Sequence, residues 1–218
     1  MRRRTIACSA GVSLALAAAG LAVFTAQAGS VQYAKTPTSP GPIDPRAIPL
    51  GDGYVSTSPE VGYVDSCQTQ FGGIGGAQVA GPWIDTSAKT WNLEAKTAVL
   101  GAVSWASASW QVTVTGTKRI VSGNDLPTDH TTGVFPIAST DPASAYDRNP
   151  NHIAPHTFTW ALPANPSAAA RPSCTNGGPI GVLDDGVFLY DALDGEGRDA
   201  AAHELLDSCW GHPDMASS

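Results

Sequence analysis

Glycine and proline interrupt this chain so often that few regular elements can run far: 23 Gly and 17 Pro are spread over 218 residues. Glycine loosens the backbone and proline removes a donor, so each marks a boundary. The stretches left between them are short, and several alternate. Trp110, Val112 and Val114 alternate with Gln111, Thr113 and Thr115, and a Gly116-Thr117 turn leads into residues 118–122, which predicts a hairpin. Phe158, Trp160 and Leu162 share one face of residues 156–162. Residues 180–191 are apolar on both sides of Asp184-Asp185-Gly186, a second hairpin pattern. One helical pattern stands out, over residues 197–209, with Asp199 as N-cap and Ala200, Ala201, Ala202, Leu205 and Leu206 propagating it. Short strands, Gly/Pro turns and one late helix predict a mainly β domain, β-sandwich-like or α+β, with a C-terminal helix.

The N-terminus reads as an export signal. Arg2, Arg3 and Arg4 precede an apolar run to about Phe24, and Ala26-Gln27-Ala28 supplies the small-x-small pattern for cleavage after Ala28. A membrane anchor is the competing reading, but the run is rich in Ala and Gly and only weakly apolar. Cleavage leaves 190 residues in which nine Lys+Arg face 19 Asp+Glu, a net charge of about −10. That length supports a single core. The acidic balance and scattered basic residues argue against a nucleic-acid partner, since phosphate binding needs basic patches. Residues 29–49, with Pro37, Pro40, Pro42, Pro45 and Pro49, read as an extended linker ahead of one domain over residues 50–218. The expected location is extracellular, cell-surface or periplasmic, with no stable membrane span after cleavage and a protein or small-molecule partner.

Cys8 leaves with the signal, so Cys67, Cys174 and Cys209 remain. In an oxidising compartment they read as a disulfide framework with an odd member. Pairing Cys174 with Cys209 closes a loop of about 35 residues, worth roughly 4 kcal/mol by chain entropy. Cys67–Cys174 and Cys67–Cys209 are equally open.

Several residues bear on chemistry. His203-Glu204-Leu205-Leu206-Asp207 approaches the His-Glu-x-x-His zinc pattern, in which ligands at i and i+4 share a helix face and the glutamate activates a metal-bound water. Asp207 replaces the second histidine, and Trp210 and Pro213 occupy positions where a longer protease motif has Gly and His. His152 and His156 are four apart, but Pro150 and Pro155 exclude a regular helix through them. His130 follows Asp129; adjacent residues rarely orient one another as an acid–base pair, and no Gly-x-Ser-x-Gly elbow exists for them to serve. Asp191, Asp194, Glu196 and Asp199 crowd oxygen donors into one loop, but their spacing departs from a calcium loop, so calcium ranks below copper or zinc. The glycines from Gly72 to Gly76 lack the Lys-Ser/Thr of a phosphate loop. Six tryptophans, Trp83, Trp91, Trp105, Trp110, Trp160 and Trp210, read as core packing before they read as a carbohydrate platform.

A family resemblance runs through these segments. Ile48-Pro49-Leu50-Gly51-Asp52-Gly53, Ser56-Thr57-Ser58-Pro59, Val61-Gly62-Tyr63-Val64, His130-Thr131-Thr132-Gly133, Phe135-Pro136-Ile137 and Tyr146-Asp147-Arg148-Asn149-Pro150 are similar to stretches of secreted YHYH-domain proteins. So are Gly178-Pro179-Ile180-Gly181-Val182, Asp185-Gly186-Val187, Ala192-Leu193-Asp194, Gly197-Arg198-Asp199-Ala200, and Asp207-x-Cys209-x-Gly211-His212-Pro213. The resemblance implies that a Tyr-His-Tyr-His signature and a further cysteine should follow Pro213, so the chain is expected to be truncated before them. Histidines one residue apart on a strand project from the same face, a spacing that suits copper or zinc. With His203, Asp207 and His212 nearby, the expectation is divalent-metal binding at those three residues. A non-catalytic extracellular interaction domain is the alternative, and a metal-dependent hydrolase using His203, Glu204 and Asp207 the third reading. No residue is assigned to catalysis.

Overall fold

The computed structural model describes residues 42–68, 70–72 and 77–214. The expected signal peptide, most of the linker, Gly73 to Gly76 and the last four residues lie outside the described residues.

The longest strands are those whose alternation is local. β6 (Trp110–Thr115) and β7 (Lys118–Gly123) form the first hairpin, and β8 (Phe158–Pro163) adds to β7. The register aligns Trp110, Gly123 and Phe158, then Val112, Val121 and Trp160. Glycine is required at 123, because a Cβ there would lie 2.7 Å from the Ser109 carbonyl oxygen and 3.1 Å from the Phe158 ring. β9 (Pro179–Val182) and β10 (Phe188–Tyr190) are antiparallel, joined through Gly186 at φ +96°, where a non-glycine residue would be strained. Phe188 fastens this hairpin to the sheet. Its ring stacks on Trp160 at 5.1 Å and lies 4.7 Å from Phe158.

The remaining strands are two residues long and pair over long sequence distances. β1 (Ile48–Pro49) and β4 (Ile84–Asp85) flank β5 (Thr90–Trp91), all antiparallel. Residues 43–49 thus belong to the folded unit, which begins at Ile43, and not to a free tether. β2 (Val55–Ser56) and β3 (Val64–Asp65) are parallel, and a Ser66–Thr175 bridge continues that line. Beside it Cys67 is bonded to Cys174. That pairing excludes the loop Cys174–Cys209 as well as Cys67–Cys209; Cys209 is engaged too, and it is not a free thiol.

The core gathers Leu50, Trp83, Trp91, Val99, Ile137, Ala143, Ala202 and Leu205 from across the unit. Each large apolar side chain buried there contributes about 1.5–3 kcal/mol. Trp83 meets its polar need by donating Nε1–H to the Ala202 carbonyl at 2.8 Å.

The helix is far shorter than its pattern. α1 spans Ala200–His203, capped by Asp199, and Glu204 is already extended. Competition from tertiary pairing explains the difference. The Leu206 carbonyl accepts from Val99 N, and Asp207 accepts from Gly133 N and from Cys209 N and Gly211 N. Leu205, Leu206 and Asp207 are all buried in this extended path, so intrinsic propensity is overridden. The molecule is mainly β, with one short helix near the C-terminus and a disulfide, as the sequence pattern predicts. Among the described residues no helix is long and apolar enough to cross a membrane.

Candidate functional site

Two loops meet where the first sheet faces the second hairpin. After β7 the chain turns at Asp125, whose backbone is left-handed at φ +59°. Its Oδ1 accepts from Phe188 N at 2.8 Å, and burial pushes this carboxyl up to about 6. Three residues on, Thr128 donates through both N and Oγ1 to the Asp185 carbonyl oxygen, at 3.2 and 3.0 Å. These bonds fix residues 125–130 against the β9–β10 turn.

That stitching brings His130 between two carboxylates. His130 Nδ1 lies 2.8 Å from Asp129 Oδ1 and 3.3 Å from Asp185 Oδ2. The Asp185 side chain is nearly buried, and its Oδ1 is held by Val187 N at 3.0 Å. Its Oδ2 is thereby turned toward the imidazole. Asp129 is the exposed member, so one side of the cluster opens to solvent. The three donor atoms lie within 4.8 Å of one another, and among the described residues no other group of three His, Cys, Asp or Glu meets that spacing. A tetrahedral ion with bonds near 2.0–2.1 Å has ligand–ligand edges of about 3.3 Å, and the 3.3 Å between His130 Nδ1 and Asp185 Oδ2 matches one such edge. One imidazole and two carboxylates form a borderline-to-hard donor set suited to zinc, copper or manganese. Metal coordination would require Nδ1 unprotonated, with the ring proton on Nε2. The net charge of −7 favours a cation's approach.

The residues singled out from the sequence are placed otherwise. His203 Nε2 bonds the Asp52 carboxylate at 2.9 and 3.1 Å, while its buried Nδ1 meets no partner. Asp207 has both oxygens engaged by the three backbone amides already described. His212 Nδ1 is 3.4 Å from the Asn149 amide nitrogen, and burial lowers its proton affinity. The structure does not gather the donor atoms of His203, Asp207 and His212 into one cluster. With α1 ending at His203, the shared helix face that the zinc-protease pattern requires is missing as well. Among the acidic-loop residues, Asp194 receives Glu196 N, Arg198 N and the Arg198 guanidinium, and Asp199 caps α1. His156 packs edge-on against Phe188 at 5.8 Å.

The sequence pattern points to His203, Asp207 and His212, whereas the donor atoms that lie together belong to Asp129, His130 and Asp185. Asp129 and His130 do bond, contrary to the expectation for neighbours, because the anchored Thr128 bends the loop back. Asp185 was legible only as a turn residue. The usable signal was the co-occurrence of His130-Thr131-Thr132-Gly133 and Asp185-Gly186-Val187 among the familiar segments, which does not by itself say that they touch.

No family model matches the sequence, and neither a curated protein nor a solved structure matches it.

Proposed function

We propose that this is an exported protein of the YHYH-domain type whose molecular activity is divalent-cation binding, centred on Asp129, His130 and Asp185. The observation that carries the reading is the convergence of one imidazole and two carboxylate oxygens from separate loops, one carboxylate nearly buried and oriented by its own backbone. The disulfide is compatible with an oxidising compartment. The open side leaves room for water or a ligand atom to complete the coordination sphere.

Calorimetric titration of zinc or copper into untagged protein tests this. One equivalent is expected, with affinity lowered at least about tenfold by His130→Ala or Asp185→Asn. His203→Ala and His212→Ala should leave it unchanged. Binding that survives His130→Ala, or no binding in the parent protein, overturns the assignment. A non-catalytic interaction domain is then the reading to keep, supported by the exposed apolar residues Val112, Val114 and Leu162 on the β6–β7–β8 sheet.

A further inference from the structure

The extended segment after α1 packs against residues 93–98 and leaves a cavity of about 190 Å³ between Leu93, Lys96, Ala98, Leu206, Asp207 and Trp210. Lys96 supplies its amine. Nζ lies 5.8 Å from the Trp91 ring centre and 5.4 Å from that of Trp210, and those rings meet edge to face at 6.3 Å. Nζ also donates to the Ala201 carbonyl oxygen. A lysine normally swings on a flexible stem; the Ala201 carbonyl and the neighbouring indole rings of Trp91 and Trp210 place this one at the cavity. Its surroundings are acidic: Glu204 and Asp199 act on it electrostatically, Asp207 lines the cavity, and the buried His212 lies within its field.

We propose that Lys96 forms a carbonyl-capturing site, in which its amine condenses with a small neutral aldehyde seated against Leu93, Leu206 and Trp210. The Nζ lone pair attacks the carbonyl carbon, and a proton moves from nitrogen to oxygen to give a carbinolamine. Protonation of that hydroxyl expels water and leaves an N-protonated iminium, which gives its N–H proton back to the group or water that supplied it, so amine and aldehyde become imine and water with no change of oxidation state. Burial brings Lys96 down to about 8 even against the pull of Glu204 and Asp199, so its uncharged fraction near neutral pH exceeds that of an ordinary lysine by about two orders of magnitude. Glu204, pushed up to about 7 chiefly by burial, can exchange a proton in the same pH range. The surrounding carboxylates disfavour an anionic aldehyde, which makes charge the basis of selection.

The test is reductive trapping with propionaldehyde and sodium cyanoborohydride on the intact protein at neutral pH, read by peptide mass mapping. The exposed Lys89 and Lys118 serve as internal references. Lys96 should gain a propyl group at least about tenfold faster than either, most of the amine-fraction advantage being offset by restricted access. Its rate should saturate with aldehyde concentration, and glyoxylate should show no preference for it. Ala98→Phe, which fills the cavity, should abolish the Lys96 preference while leaving Lys89 and Lys118 labelling unchanged in protein whose urea midpoint shows that it is folded. Parent protein in which Lys96 reacts no faster than Lys89, or reacts linearly and equally well with glyoxylate, overturns the proposal whether or not the variant folds.

Discussion

Glu204 shows how far one residue's setting can depart from its sequence motif. It follows His203 in a pattern that elsewhere marks a general base, yet here it is buried, on extended backbone beyond the end of α1. Burial, then repulsion from Asp194 and Asp147, raises it to about 7 against the opposing pull of Arg198 and Lys96. Because the folded value lies above the unfolded one, the native state binds the extra proton between about pH 4.5 and 7. Stability therefore falls as pH rises through that window, by up to roughly 3 kcal/mol. His212 works the other way: its lowered folded value means that stability falls as pH drops below its ordinary titration range near 6.5. The two act in opposite directions below about pH 6.5, and Asp125, also raised by burial, adds to the Glu204 trend. Glu204→Gln separates them. At pH 8 it should stabilise by about 1–2 kcal/mol, once the cost of a buried amide is counted, and at pH 4 it should be neutral or mildly destabilising. Urea denaturation at both pH values checks this, and a variant with the same effect at each would refute the assignment.

At the scale of elements, legibility follows contact range. The β6–β7 and β9–β10 hairpins were readable because alternation and turn glycines lie within a few residues of one another. The two-residue strands were not. Ile48 pairs with Trp91 and Ser66 bridges Thr175, and such partners leave no local period. Helix α1 falls between these cases. Its cap was legible, since Asp199 accepts from Ala202 N at 3.3 Å, but its end was set by remote partners of Leu206 and Asp207. The candidate metal site has the same mixed character: the Asp129–His130 neighbourhood is written in the sequence, whereas Asp185 arrives through a loop contact 57 residues away. Asp199 also accepts from Gly51 N at 2.9 Å, tying α1 to the start of the domain. Asp199→Ala removes both acceptor roles and should cost about 2–3 kcal/mol, one part the helix cap and one part a stranded amide. Asp199→Asn keeps one acceptor oxygen and should cost less than about 1 kcal/mol. Equal losses for the two variants in thermal or urea unfolding would show that the carboxylate's charge, and not its acceptor geometry, is what matters.

For the whole molecule the decisive covalent link is Cys67–Cys174, whose ends are 107 residues apart. The closed loop contains β4 through β8, including the central three-stranded sheet and most of the core residues. Local hydrogen bonds already hold its ends together in the folded state: Cys67 N donates to Thr175 O and Thr175 N to Asp65 O, both at 2.8 Å. The bond's main contribution is therefore expected in the unfolded ensemble, where it removes the freedom of a very long loop. Chain entropy puts this at about 4–5 kcal/mol. The double substitution Cys67→Ser/Cys174→Ser is a cleaner probe than reductant, which would also act on Cys209. Two changes should appear together in denaturant unfolding. Stability should drop by about 3–5 kcal/mol, and the denaturant slope m should rise, because an uncrosslinked unfolded chain exposes more surface. Near-ultraviolet circular dichroism of the folded variant should keep the parent signature from Trp160 stacked on Phe188, a pair held by the β6–β7–β8 sheet and the β9–β10 hairpin. A drop below about 1 kcal/mol with m unchanged would mean that the bond only duplicates the Asp65–Thr175 stitching. A comparable drop accompanied by loss of the aromatic signal would place its effect in the native packing, not in the unfolded chain.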